Sequence, residues 1–143
     1  MVNWPRVVID SKDVDMCFGC GRNNPIGLKL EFTWDGKTVN GEFTPEVVHQ
    51  GWSGVVHGGI IECLLDEVMS YAAYFEGIRT VTAKMNVRMV QVARVGEPLI
   101  ATALITKRSR KLIMTRGLLT LRDGSKVAEG NATLFIFENN MRD

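Results

Sequence analysis

A chain of 143 residues, 45% hydrophobic and 23% charged, has the length of one domain and the composition of a folded one, which excludes a disordered chain. Its net charge of +1 provides no global field to attract nucleic acid or an anionic membrane, and no stretch approaches the roughly 20 apolar residues of a membrane span. Three cysteines make no disulfide framework, and Met1 to Asp10 carries no secretory pattern, so a cytoplasmic location is expected.

Residues 1–25 read as an irregular N-terminal lid on a single domain spanning 1–143, with Pro5, Pro25 and the run Cys17-Phe18-Gly19-Cys20-Gly21. Cys17-x-x-Cys20 has half of a zinc-finger spacing; the second half is absent and Cys63 falls inside a predicted helix. Two reduced thiols and no metal are therefore expected. Leu28 to Trp34 alternates in part as a strand, Asp35-Gly36 is a hairpin turn, and Thr38 to Thr44 is the returning strand. Pro45 to Val56 reads as a loop.

Ile60 to Phe75 is the predicted helix. Ile60, Ile61, Leu64, Leu65, Val68, Met69, Ala72 and Ala73 form one broad apolar stripe at helical period. Glu62, Asp66 and Ser70 fall opposite, and Glu67 is taken as solvated with Glu62. Gly77 supplies the stop. Strands are then predicted over Val81 to Val92, Leu99 to Lys107, Leu112 to Arg122 and Lys126 to Phe137, in a meander, with turns at Gly96-Glu97-Pro98 and Asp123-Gly124. In the first of them Thr82, Lys84, Asn86 and Arg88 share one face. One helix cannot cover both faces of six strands, so the other face is polar or buried in a partner subunit. The abundance of Val, Leu, Ile and Met in the strands favours an oligomer.

His57-Gly58-Gly59 runs straight into the helix. A helix N-terminus offers unpaired N–H donors and a partial positive charge, the groups that polarise a carbonyl and hold a developing oxyanion. Asp66, two turns further on, is a candidate base or nucleophile. The candidate chemistry is acyl transfer. His57 is either a general base or a ring that pins the loop. The run Lys107-Arg108-Ser109-Arg110-Lys111 is the one dense basic segment, and guanidinium groups there suit phosphates. No aromatic platform or recognised motif accompanies it, which argues against nucleic acid.

The order of elements, and the run Gly54-Val55-Val56-His57-Gly58-Gly59-Ile60-Ile61 with Asp66 nine positions after His57, resembles the hotdog-fold acyl-CoA thioesterases of the phenylacetate-pathway and hydroxybenzoyl-CoA type. The resemblance covers roughly residues 15–137, by alignment of the predicted elements. It implies an α+β fold, a curved six-stranded antiparallel sheet wrapped around one long helix. It implies hydrolysis of an acyl-CoA thioester to free acid and CoA, with no cofactor, since CoA is part of the substrate. The Gly58 N–H would bind the thioester carbonyl. Asp66, from the facing subunit, would activate water or attack directly. Thr82 would hold the water or the acid. An Asn or Gln often precedes His-Gly-Gly by six positions. Here that position is Gly51, and neighbouring Gln50 is the candidate.

Gly59, Lys84, Arg88, Arg108 and Arg110 are the candidate substrate and CoA contacts, and Met69, Tyr71, Tyr74 or Phe75 would line the acyl pocket. The expected partners are acyl-CoA or an acyl-carrier-protein thioester and further copies of the chain, as homodimer or homotetramer; neither nucleic acid nor membrane is expected. A non-catalytic acyl-CoA binder or sensor is the alternative, and it would have no need of Asp66. A hydratase on the same scaffold would want a His after Asp66, and none follows.

Overall fold

The structure is a computed structural model that describes residues 11–137, with side chains described from Val14 onward; the irregular chain expected over residues 1–10 lies outside them. Six strands, β1 (Thr33–Trp34), β2 (Thr38–Phe43), β3 (Thr80–Met89), β4 (Leu99–Arg108), β5 (Leu112–Leu121) and β6 (Lys126–Ile136), accompany one long helix, α1 (Gly58–Tyr74). They form a single antiparallel sheet in the order β1-β2-β4-β5-β6-β3.

The helix forms where the apolar stripe predicts it. It buries Ile61, Leu64, Leu65, Val68, Met69, Ala72 and Ala73, and touches every strand from β2 to β6. Burying each of the larger side chains contributes about 1.5–3 kcal/mol relative to exposure. Their partners on the sheet include Leu99, Ile113, Leu119 and Leu134, all essentially inaccessible. Gly77, at φ +81°, turns the chain out of the helix in a conformation that side chains with a Cβ disfavour.

Two expectations need correction. The four later strands are not a simple meander, because only β4, β5 and β6 follow one another; β3 lies at the far edge beside β6. The helix crosses the sheet and delivers the chain to that edge. Residues 90–98 then return to the middle along one end, held by Val56 N–H to the Ala93 carbonyl (2.9 Å) and Gly96 N–H to the Pro45 carbonyl (2.8 Å). The first strand is also shorter than Leu28 to Trp34. The N–H groups of Leu28 and Leu30 are spent on the carbonyls of Phe18 and Gly19, at 2.8 and 2.9 Å, and Lys29 between them has φ +54°. That stretch pairs with the N-terminal loop rather than with the sheet.

The helix sits close on β5. A Cβ placed on Gly117 would lie 2.8 Å from Met69 Cγ and 3.3 Å from Leu65 Cδ2. Gly117→Ala should therefore destabilise the fold by about 1–3 kcal/mol through overpacking. Urea denaturation would show this as a lower midpoint at an unchanged slope.

Candidate active site

The loop before α1 builds the start of the helix. Gln50 and Val56 form an isolated bridge, His57 N–H donates to the His49 carbonyl at 2.9 Å, and the Gln50 side-chain carbonyl accepts from Gly54 N–H at 2.9 Å. The Gln50 oxygen is thus engaged within the loop. His57 is the N-cap of α1, its extended backbone (φ −60°, ψ 136°) turning the chain into the helix and its Nδ1 accepting from Gly59 N–H at 2.8 Å. That acceptor role places the ring proton on Nε2. The geometry matches the reading of His57 as a pinning ring.

The two glycines have different reasons. A Cβ on Gly59 would sit 3.1 Å from His57 Nδ1, so the cap itself requires a small residue there. A Cβ on Gly58 would meet only Met89 Cε, at 3.8 Å. Among the described residues the Gly58 N–H has no acceptor, and Gly58 lines a shallow cavity of about 390 Å³ with Gly51, Trp52, Val55, Val56 and His57. Gly58 therefore offers an unpaired donor at a helix N-terminus, open to a ligand. Gly59, nominated as a substrate contact, has its N–H committed to His57.

Asp66 and Thr82 come together as expected: the Thr82 hydroxyl donates to Asp66 Oδ1 at 2.6 Å, leaving Oδ2 for other chemistry. This contact depends on a β-bulge. The register of β3 against β6 slips between Thr82 and Lys84, so Thr82 pairs with the buried Leu134 and faces the helix. Beyond the bulge Met85 and Val87 pack inward, while Lys84, Asn86 and Arg88 are exposed on the other side of the sheet. The expectation that Thr82 shares a face with those three is corrected by the extra residue, Ala83.

The basic candidates lie away from Gly58. Arg108 makes a bidentate ion pair with Glu76 (2.6 and 2.7 Å), which holds the Glu76 carboxyl below its usual range, and Arg110 is exposed on the same β4–β5 hairpin. The hairpin thus lies at the C-terminal end of α1. Arg88 lines a second cavity, on the outer face, with Asn86, Arg116 and Asn131. Met69 is fully buried against Gly117, and Phe75 stacks on Trp34 (5.6 Å between centroids). Tyr71 and Tyr74 line a cavity of about 160 Å³ beside Ser70, Ile78 and Thr80.

Glu67 is not a solvated residue. It is largely covered by the Cys17–Cys20 loop, and burial followed by the neighbouring Asp66 charge raises its pKa. Burial also pushes the thiols of Cys20 and Cys63 up to about 12 and raises the Tyr71 hydroxyl. Only Gly19 hinted at this contact in the sequence: a Cβ there would strike Glu67 Cγ at 2.2 Å.

The family model of the thioesterase superfamily matches residues 53–128, the span that holds Gly58, Asp66 and Thr82. The chain belongs to the thioesterase superfamily. The human protein acyl-coenzyme A thioesterase 13 is 30% identical over 95 residues, covering 64% of this chain and 68% of that one. Thioesterase superfamily member 2 from Mus musculus superposes with a TM-score of 0.69 at 25% identity, over 74% of this chain and 86% of that one. A hypothetical thioesterase from Streptococcus pneumoniae, solved with coenzyme A, gives 0.71 at 17% identity, over 75% and 84%. At that identity the likeness speaks for the architecture, which is the hotdog fold. No helix among the described residues is long and apolar enough to cross a membrane.

His57→Ala should remove the side-chain cap and cost about 1 kcal/mol of stability, while leaving the Gly58 N–H in place. Thermal unfolding of the purified variant measures it; an unchanged melting temperature would show that the cap is not holding the helix start.

Proposed function

We propose that this protein hydrolyses the thioester of an acyl-coenzyme A to free acid and CoA. The observation that carries the reading is an N–H at Gly58 unpaired among the described residues together with, on the same helix, a carboxylate, Asp66, held by Thr82 of β3. The relatives named above support it, among them an acyl-coenzyme A thioesterase and a protein solved with coenzyme A. A mere binder of acyl-CoA would have no use for the Asp66–Thr82 pair.

The thioester carbonyl would accept from Gly58 N–H, which stabilises the oxyanion as it forms; one such donor is worth about 3–4 kcal/mol in acyl transfer. Asp66 Oδ2 either takes the proton of the attacking water or attacks the carbonyl itself, to give an anhydride that water then opens. The departing thiolate is a good leaving group and needs no strong acid. CoA is part of the substrate, and an acyl-carrier-protein thioester presents the same pantetheine arm.

Within one chain the two groups are too far apart to share a carbonyl. Eight residues of helix separate them, a rise of about 12 Å. A second copy resolves this. β3 is a ten-residue strand that among the described residues is bonded on one side only, to β6. Thr82, which holds Asp66, lies near its start, and Met89, beside Gly58, at its end. Two-fold antiparallel pairing about the middle of β3 would bring Gly58 alongside the partner subunit's Asp66. It would also cover Met89 and Val90, both about half-exposed apolar side chains. The same operation would carry the basic β4–β5 hairpin, with Arg108 and Arg110, to the Gly58 end of the facing chain, where the phosphates of CoA would extend. Lys84 and Arg88 remain further candidates on the outer face.

Asp66→Asn should keep the fold and lower turnover by about 10²-fold or more, measured as free CoA released from a panel of acyl-CoAs. Near-full activity in that variant would remove Asp66 from the mechanism. Because each site would draw on two chains, mixing Asp66→Asn with Gly58→Val chains should restore about a quarter of the wild-type rate, since half of the randomly mixed dimers carry one intact site. Exchange of subunits with no recovery would place both groups in one chain.

A further inference from the structure

The loop Cys17 to Gly21 closes over α1 one residue beyond Asp66, on a different side of the helix, and lines the cavity of Tyr71 and Tyr74. Glu67 Oε1 and Oε2 lie 3.8 and 3.9 Å from Cys17 Sγ. One ligand atom from each of Cys17, Cys20 and Glu67 falls within 4.8 Å of the others. In a tetrahedral zinc site, with bonds of about 2.3 Å to sulfur and about 2.0–2.2 Å to oxygen, ligand atoms stand roughly 3.5–3.8 Å apart. The three side chains are thus already spaced to within a small adjustment of such a set. We propose that Cys17, Cys20 and Glu67 bind a thiophilic divalent cation, zinc by the chemistry of its ligands, with water in the fourth position from the adjoining cavity beside Ser70 and Tyr71.

The backbone supports the assignment. Cys20 N–H donates to Cys17 Sγ at 3.3 Å, which fixes the sulfur within the turn. Gly21 N–H closes the turn on the Cys17 carbonyl at 2.8 Å. Both glycines of Cys-Phe-Gly-Cys-Gly are demanded by close approach: Gly19 makes room for Glu67, and a Cβ on Gly21 would lie 2.5 Å from the Asp15 carbonyl oxygen. The loop is shaped to bring two sulfurs onto one carboxylate.

The charges point the same way. Among the described residues, Glu67 interacts with Asp66, Cys17, Cys20, Cys63 and Tyr71, none of them cationic, and the one cation lining the adjoining cavity is Arg79. A divalent cation would compensate a largely buried carboxylate that makes no ion pair among the described residues. Two thiolates with one carboxylate suit zinc better than magnesium or calcium, which prefer oxygen throughout. Binding would release the two thiol protons, so affinity rises with pH. The bound ion would staple the N-terminal segment, and through Leu28 and Leu30 the approach to β1, onto α1.

The test uses the full chain, freed of metal by chelation under reducing conditions, with Zn²⁺ and Co²⁺ as probes. Wild type should take up one Zn²⁺ per chain, and Co²⁺ should give a thiolate charge-transfer band with the intense visible bands of tetrahedral cobalt. Cys17→Ser and Cys20→Ser should lose both signals, Glu67→Gln should bind about tenfold more weakly or worse, and Cys63→Ser should bind like wild type. A wild-type chain that binds no Zn²⁺, or whose Co²⁺ spectrum lacks the thiolate band, overturns the proposal whatever the variants do. So does undiminished binding in a folded Cys17→Ser or Glu67→Gln chain. None of these readouts involves thioester hydrolysis, so the outcome is independent of the activity proposed above.

Discussion

Everything in this molecule is positioned by the burial of one face of α1 against the sheet. The stripe from Ile61 to Ala73 fixes both the axial position and the rotation of the helix, because Leu65 and Met69 have only the space above Gly117 and Gly130 in which to lie. Once that rotation is set, the remaining faces are assigned. Asp66 turns toward β3 and meets Thr82; Glu67, about 100° further round the helix, turns under the Cys17–Gly21 loop. Two adjacent carboxylates thereby acquire separate environments.

The start of the helix is set as firmly as its rotation. The return segment 90–98 bonds to the loop 45–56, that loop bonds to His57, and His57 caps Gly59. Each link consumes a backbone group that would otherwise compete for solvent, and the series leaves the Gly58 N–H over. In the proposed role of oxyanion donor, an N–H held by so many neighbours would have little reorganisation to undergo as charge develops, which is what makes such a donor effective.

The sequence made the helix and most strand positions legible because period 3.6 and period 2 are local signals. The helix runs from Gly58 to Tyr74 where the stripe predicts Ile60 to Phe75, and β4, β5 and β6 agree to within a residue at each end. The meeting of Asp66 and Thr82 was legible as well, since both are carried by recognisable motif positions. What was not legible is non-local. The place of β3 at the sheet edge depends on where the helix deposits the chain, and no residue of β3 announces it. The bulge at Ala83 inserts one residue into an otherwise clean alternation and reverses the face of Thr82 relative to Lys84. The burial of Glu67 depends on a loop nearly fifty residues away in sequence. Leu28 and Leu30 look like strand because they are buried, but they are buried under the N-terminal loop.

On the proposed mechanism the site would be incomplete in one chain, and the reason lies in the same helix. A rigid helix that carries both a donor at its first residue and an acid two turns later cannot bend to bring them together. On the proposed mechanism the answer would be the edge of β3, which pairs with no further strand among the described residues and on which Thr82 and Met89 lie near Asp66 and Gly58 respectively. An antiparallel two-fold exchanges the ends of that strand, so the spacing that separates the groups within a chain is the spacing that would juxtapose them between chains. A long, partly apolar edge strand left open would be a liability for aggregation in a monomer. As the seam of a dimer it would be the element that completes the chemistry. The selection pressures on the strand's edge and on the helix's acid would then be one pressure, acting on the distance between Gly58 and Asp66.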